Sequence, residues 1–253
     1  VSNWLYIIVV SFLLLACDNE PQVDADRSTF VPTASSHATA TNTNGRTNVG
    51  AIKDYKTARP LLWSVVYRNG GETLYCGERF DSQHRKGYNV EHVFPMSWAT
   101  NGLNCGKRKQ CRARSEEFNR IEADLHNLFP SRSDVNQDRS SHRFGDVPGE
   151  SRRYGSKCDF EVSERNRVAE PVPDKRGEVA RAMFYMADRY KPEGLVLFKK
   201  QALLLEGWHR ADPPSDEERR RNDVIETLQG NRNLFIDSPE ELHRLVKAGY
   251  FFN

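Results

Sequence analysis

Apolar side chains fall along the chain in three regimes. From Trp4 to Ala16 they run almost unbroken, interrupted only by Tyr6 and Ser11. That run is shorter than the about 20 residues a membrane-spanning helix needs, and it matches the apolar region of a secretory leader. From residue 18 to about residue 50, large apolar side chains nearly vanish. The stretch Pro32–Gly45, PTASSHATATNTNG, holds too little apolar surface to offset the entropy of ordering it, and it reads as a disordered linker. Beyond it apolar residues return in spaced groups, and residues 51–253 are expected to fold as one domain.

Within that domain the spacing predicts mainly helices. Pro60–Tyr67 is apolar and then meets the turn residues Asn69, Gly70 and Gly71. It fits either a helix ending at Asn69 or a short strand or hairpin that takes in Leu74, Tyr75 and Cys76. Phe118, Ile121, Leu125 and Leu128 recur at helical intervals and predict a helix over 115–129. Gly177–Tyr190 carries Val179, Ala182, Met183 and Met186 along one face. Leu195–Trp208 forms a third helical stretch. Ser215 followed by Glu218 is a capping-box pattern that opens a fourth helix towards Gln229, and Gly230 ends it. No internal repeat is visible. The sum is an α+β fold, a mostly helical domain around one short β element near its middle. About 200 residues remain once leader and linker are set aside, enough for a single core.

Charge and cysteine content refine this picture. The net charge is only +2, from 37 Lys and Arg against 35 Asp and Glu. So small a sum does not announce a polyanionic partner, and local clustering matters more. Leu14-Leu15-Ala16-Cys17 looks like a bacterial lipobox, in which Cys17 becomes the lipidated first residue of the mature protein and tethers it to a membrane. No Lys or Arg precedes the apolar run, which departs from the usual leader. Residues 1–17 are therefore read as a signal peptide with lipobox, and residues 18–50 as the tether. Four other cysteines remain: Cys76, Cys105, Cys111 and Cys158. An even set in an exported protein suggests two disulfides, and three connectivities are open. Cys105 with Cys111 would close a small loop and leave Cys76 with Cys158. A zinc site is the rival, but no C-x-x-C or H-x-x-x-H spacing supports it.

Three segments carry candidate chemistry: Asn89–Pro95 (NVEHVFP), Cys105–Cys111 (CGKRKQC) and Glu122–Pro130 (EADLHNLFP). Phosphodiester hydrolysis needs a base for water, positive charge on the non-bridging oxygens and help for the leaving oxygen. His92 can be the base. Glu91 and Asn127 offer oxygen ligands for one hard divalent cation. Arg108 can hold a phosphate through its planar fork. If 115–129 is helical, Asn127 points roughly 140° away from the apolar stripe and is free to line a site. A helix cap is the plainer role for Asn127, and His126 is read as a buried, satisfied histidine. Glu91 and His92 are neighbours that a regular strand would point to opposite faces, so a shared site places them at an irregular strand end. Lys107, Arg108, Lys109, Arg112 and Arg114 precede the first acid, Glu116, and a cysteine pair encloses the start of that run. The pattern favours a fixed anion-binding surface.

Taken together, these segments resemble the endonuclease I family of bacterial periplasmic and secreted nucleases. NVEHVFPMSW, EADLHNLFPSRSDVNQDRS, RGEVARAMFYMADRY and ERRRNDVIETLQGNRNLFID occur in the expected order over most of residues 55–240. The resemblance implies a ββα-metal site in which Glu91 and Asn127 bind the metal, His92 is the general base and Arg108 binds phosphate. It implies one Mg2+, with Mn2+ or Ca2+ able to substitute in binding, and a monomeric, exported enzyme. Its substrate would be DNA, with RNA left open, cut without sequence preference to give 5′-phosphate ends. Members of the family often have more than four cysteines, so this chain departs from the pattern there. The competing reading is a non-catalytic surface lipoprotein that binds nucleic acid or another polyanion.

Overall fold

The structure, a computed structural model, describes residues 52–82, 86–149 and 151–252. The leader with Cys17 and the linker lie outside the described residues. Asp54 caps the first helix, α1 (Tyr55–Leu61), by accepting from Thr57 N at 2.8 Å. The chain stays helical through a π-turn at Leu62–Val66, so the apolar run after Pro60 is helix and not strand. β1 (Gly71–Glu72) then pairs antiparallel with β2 (Arg79–Phe80). Gly70 opens this turn at φ +87°, and a Cβ there would lie 2.2 Å from Phe80 O, so only glycine fits. Leu74, Tyr75 and Cys76 lie in the turn between the two strands, where Leu74 N donates to Pro130 O at 2.9 Å.

β3 (Tyr88–His92) leads into α2 (Met96–Gly102), α3 (Arg108–Arg114) and α4 (Glu116–Glu122). A single 3-10 turn at Leu125–Asn127 then feeds β4 (Leu128–Arg132), and α5 (Ser133–Arg139) follows without a break. β4 pairs antiparallel with β3, with Phe129 opposite Glu91 and Leu128 opposite His92. β3, β4 and α5 thus form a ββα unit. A small sheet of β5 (Arg143–Phe144), β6 (Glu161–Ser163) and β7 (Val168–Glu170) has β7 at its centre. The rest is helical: α6 (Arg176–Arg189), α7 (Lys199–Ala211), α8 (Asp216–Gln229), α9 (Leu234–Asp237) and α10 (Pro239–Lys247). α8 begins and ends as its sequence predicts. Ser215 and Glu218 form the reciprocal capping box, and Gly230 closes the helix at φ +82°. α7 starts at Lys199, later than the apolar pattern from Leu195 suggests, because Leu195 and Leu197 are buried from an extended segment.

The helix expected over 115–129 does not run through. It stops at Glu122, and Asp124 caps the following 3-10 turn by accepting from His126 N at 2.9 Å. The four periodic residues are all buried, but in different places. Phe118 and Ile121 join the main core, whereas Leu125 and Leu128 join a second core with Ala58, Leu62, Val66 and Ile225. Helical spacing recorded their burial and not the change of direction between them. The β3–β4 ribbon lies between the two cores, with Phe129 in the first and Leu128 in the second. α8 fixes the bend from outside. Arg221 Nη2 donates to Leu128 O at 2.9 Å, and Gln229 binds both Leu125 N and the Asp124 carboxylate.

The cysteines pair as Cys76–Cys158, 82 residues apart, and Cys105–Cys111, six apart. Loop-closure entropy assigns about 4–5 kcal/mol to the long crosslink and about 2–3 kcal/mol to the short one. Replacing Cys76 and Cys158 with Ser should therefore lower the urea midpoint more than replacing Cys105 and Cys111. Equal shifts from the two double variants would contradict this ordering.

Candidate active site

The end of the β3–β4 ribbon opens on a cleft of about 850 Å³ whose walls come from α2, α3 and α5. Glu91, His92, Arg108 and Asn136 all line it. The strand end is regular and not bulged as expected: β3 pairs in register with β4 through His92 and stops there, and α2 begins four residues later at Met96 behind Pro95. Glu91 reaches back to Tyr75 and α5, while His92 reaches to α1 and α4. Opposite-facing neighbours serve one cleft because the strand ends inside it.

Glu91 is almost wholly buried. Its Oε1 accepts from Tyr75 Oη at 2.6 Å and from Arg139 Nη1 at 2.9 Å. Burial pushes its carboxyl pKa up, and Arg139 and Tyr75 pull it part of the way back. Arg139, the last residue of α5, is fully buried. Its Nη2 donates to Val93 O at 2.6 Å, and its guanidinium lies 4.6 Å above the Phe144 ring. One arginine therefore holds both the carboxylate and the backbone of the strand end.

His92 is fixed from the other side. Its Nε2 lies 3.0 Å from Glu122 O. A carbonyl only accepts, so Nε2 carries the hydrogen and the lone pair is on Nδ1. Burial, and next the Arg108 charge, push the imidazole pKa down to about 3, which keeps the ring neutral. The Tyr55 ring packs against it with centroids 5.0 Å apart.

Glu122 organises the basic segment as well. Its buried carboxylate accepts from Arg108 Nε and from Arg112 Nε at 2.7 Å and Nη2 at 2.8 Å. Burial alone would raise its pKa, but Arg112 and Arg108 more than offset that and hold it below the usual range. The basic run is thus α3, closed at its base by Cys105–Cys111 and anchored on Glu122. Arg108 borders the cleft with about two-fifths of its side chain exposed.

Asn127 is not brought to the cleft. It is fully buried in the 3-10 turn, where Oδ1 accepts from Phe94 N at 2.7 Å and Nδ2 donates to Phe94 O at 3.1 Å. The argument that Asn127 faced away from the core depended on a helix that is absent there. Three asparagines line the cleft, Asn101, Asn104 and Asn136, and Asn136 is the one on α5, the helix that follows the ribbon. Its Nδ2 donates to Asn89 Oδ1 at 2.8 Å and to Val90 O at 3.3 Å, which turns Oδ1 away from those acceptors. His126 is buried as expected, with Nε2 on Asn231 O at 3.1 Å, although its Nδ1 lacks a partner. Sequence reasoning missed Asn136, Arg139, Glu122 and Tyr75. A signal existed for two of them. Asn136 and Arg139 are three apart in SDVNQDR, the spacing that puts two side chains on one face of a helix.

A buried neutral histidine and a carboxylate at the end of a two-stranded ribbon, with an arginine bordering the same cleft, are groups suited to the hydrolysis of phosphodiester bonds. The chain belongs to the endonuclease I family, whose model matches residues 33–240. It is 43% identical over 210 residues to an extracellular deoxyribonuclease of Aeromonas hydrophila, covering 74% of this chain and 89% of that one. A periplasmic deoxyribonuclease of the same organism is also 43% identical, over 73% of this chain and 87% of its own. An extracellular ribonuclease of Bacillus subtilis (strain 168) is 36% identical over 60% of this chain and 52% of its own. The protein is accordingly a nuclease with an α+β fold.

Proposed function

We propose that this nuclease cuts DNA endonucleolytically without sequence preference, using one Mg2+ held by Glu91 and Asn136, with His92 as general base and Arg108 on the phosphate. The observation that carries the reading is the neutral, backbone-anchored imidazole beside two oxygen donors in one cleft. With Glu91 Oε1 engaged twice, Oε2 is the oxygen left for a cation. Asn136 supplies an amide oxygen and takes the role that its place in the sequence first suggested for Asn127. One carboxylate and one amide oxygen suit a hard cation that keeps several waters, which describes Mg2+. Mn2+ and Ca2+ share the oxygen preference and can replace it in binding. When bound, the cation supplies positive charge to the phosphate and to the leaving oxygen.

The residues of the chain do the rest. His92 Nδ1 takes a proton from water as the water oxygen bonds to phosphorus. The bond from phosphorus to the 3′-oxygen breaks, leaving a 5′-phosphate. Arg108 keeps the phosphate in line through guanidinium donors not used by Glu122. Cations that meet phosphates carry no sequence information, which fits a nonspecific enzyme. The deoxyribonuclease relatives favour DNA, and the ribonuclease relative leaves RNA as a second substrate. The extracellular and periplasmic relatives support export. Attachment through a lipid on Cys17, with the active form a monomer, completes the proposal. Binding without catalysis is the weaker reading, because a polyanion-binding surface has no use for a buried neutral base.

Digestion of supercoiled plasmid tests this directly. Nicking in Mg2+, silence in chelator and ligatable 5′-phosphate ends are expected. Retention of plasmid without nicking in Mg2+ would support mere binding. Arg108→Ala should lower the log–log salt slope of binding to an uncleavable duplex by about 0.9, one phosphate contact. It should also slow cleavage, and Arg108→Lys should rescue only part because the fork is lost. Unchanged slope and rate would move the phosphate role to Lys107 or Lys109.

A further inference from the structure

Ser140 closes α5 and lines the catalytic cleft with an exposed side chain. Its backbone stands at φ +51° and ψ −123°. His142 N donates to Arg139 O at 3.0 Å, so residues 139–142 form a tight turn with Ser140 at its first central position. Such angles at that position belong to a type II′ turn, and glycine is the residue that adopts them without strain. A serine there is held against its own preference. Asn104, also in the cleft at positive φ (+48°), needs no such account, because asparagine enters that region readily.

The residues of the site supply the restraint. Ser140 N donates to Asn136 O at 3.1 Å, and Ser140 O accepts from Arg139 Nη1 at 3.4 Å. The same Nη1 lies 2.9 Å from Glu91 Oε1 and 3.2 Å from His92 O. The strained residue is therefore pinned to the arginine that fixes the strand end and to the asparagine one helical turn before it. Its carbonyl shares one nitrogen with the Glu91 carboxylate, which sets Ser140 beside the residues that act. Among the described residues its hydroxyl has no hydrogen-bond partner. A turn that needed only its shape would be served better by glycine. What serine adds is a hydroxyl in the cleft.

We propose that Ser140 is a further catalytic residue, whose Oγ donates a hydrogen bond to a non-bridging oxygen of the scissile phosphate. The proposal rests on the nuclease reading of the cleft and adds to it a neutral donor from α5, alongside the Arg108 guanidinium from α3. As the attacking water bonds to phosphorus, negative charge gathers on the non-bridging oxygens, and the hydrogen bond strengthens with it. No bond to Ser140 forms or breaks. The effect falls on turnover and not on binding, because a hydroxyl neutralises no phosphate and releases no counterion.

The test compares Ser140→Gly and Ser140→Ala with the unaltered protein on a short DNA duplex in Mg2+. Glycine removes the hydroxyl and the strain, whereas alanine removes the hydroxyl alone. Both variants should lose about 10- to 100-fold in kcat, the range for one hydrogen bond to a charged group. KM and the salt slope of duplex binding should not change. Ser140→Gly should nevertheless melt at or above the temperature of the unaltered protein, since relief of strain offsets the extra freedom of glycine in the unfolded chain. Should Ser140→Ala not fold, the folded Ser140→Gly protein decides the matter. An unaltered kcat in either folded variant overturns the role of the hydroxyl; slowing confined to glycine would trace to a loosened backbone. A Ser140→Gly protein that melts below the unaltered one would remove the strain on which the assignment stands. Plasmid nicking by the unaltered protein is measured in parallel. Its absence would defeat the nuclease reading, whereas nicking with full kcat in the variants defeats the role of Ser140 alone.

Discussion

His92→Ala should lose about 10²–10⁴-fold in cleavage rate while still binding DNA, the usual loss for a general base. The structure makes this a demand on a single atom. Nε2 is committed to Glu122 O, so only Nδ1 can take a proton. Burial and the Arg108 charge hold the imidazole pKa down to about 3, so the ring is neutral near pH 7. Removing the ring also leaves the buried Glu122 carbonyl without its donor, a stability cost of about 1–3 kcal/mol. Thermal unfolding separates that cost from the chemical one. A folded His92→Ala protein that turns over at the unaltered rate would remove His92 from the mechanism.

Glu91→Gln should be as damaging, for two reasons that can be told apart. The charge proposed to hold the cation is lost, and several kcal/mol of transition-state stabilisation corresponds to about 10³-fold in rate. Arg139, fully buried at Nη1 2.9 Å from Glu91 Oε1, is left as an uncompensated charge. Breaking a buried pair in that way costs about 3–5 kcal/mol of stability. Glu91 is therefore expected to lower both activity and the urea midpoint, whereas Asn136→Ala should affect mainly the metal requirement. An active, fully stable Glu91→Gln protein would contradict both roles given to this carboxylate.

The strand that presents Glu91 and His92 was legible in NVEHVFP, and α8 was legible to the residue from Ser215, Glu218 and Gly230. Those features are local: a cap or a strand end is written in adjacent side chains. The assignment of Asn127 rested on the family resemblance and on a helix inferred from periodicity, and that helix was not written in adjacent side chains in the same way. Leu125 and Leu128 kept the helical interval while entering a different core, so the pattern could not reveal the bend. Arg139 and Glu122 escaped notice for another reason. Each acts through partners 48 and 30 residues distant in sequence, Glu91 and His92, and no local pattern marks such a contact.

The account stands most directly on the metal being held by Glu91 and Asn136 in the cleft that contains His92. The measurement is the initial rate of plasmid nicking against free Mg2+ for the unaltered protein and for Asn136→Ala. The unaltered protein should be silent in chelator and saturate with Mg2+. Asn136→Ala should need at least about tenfold more Mg2+ to reach half its maximal rate, the loss expected when one oxygen donor of a hydrated cation is removed. Nicking that persists in chelator, or identical Mg2+ midpoints for the two proteins, would contradict it.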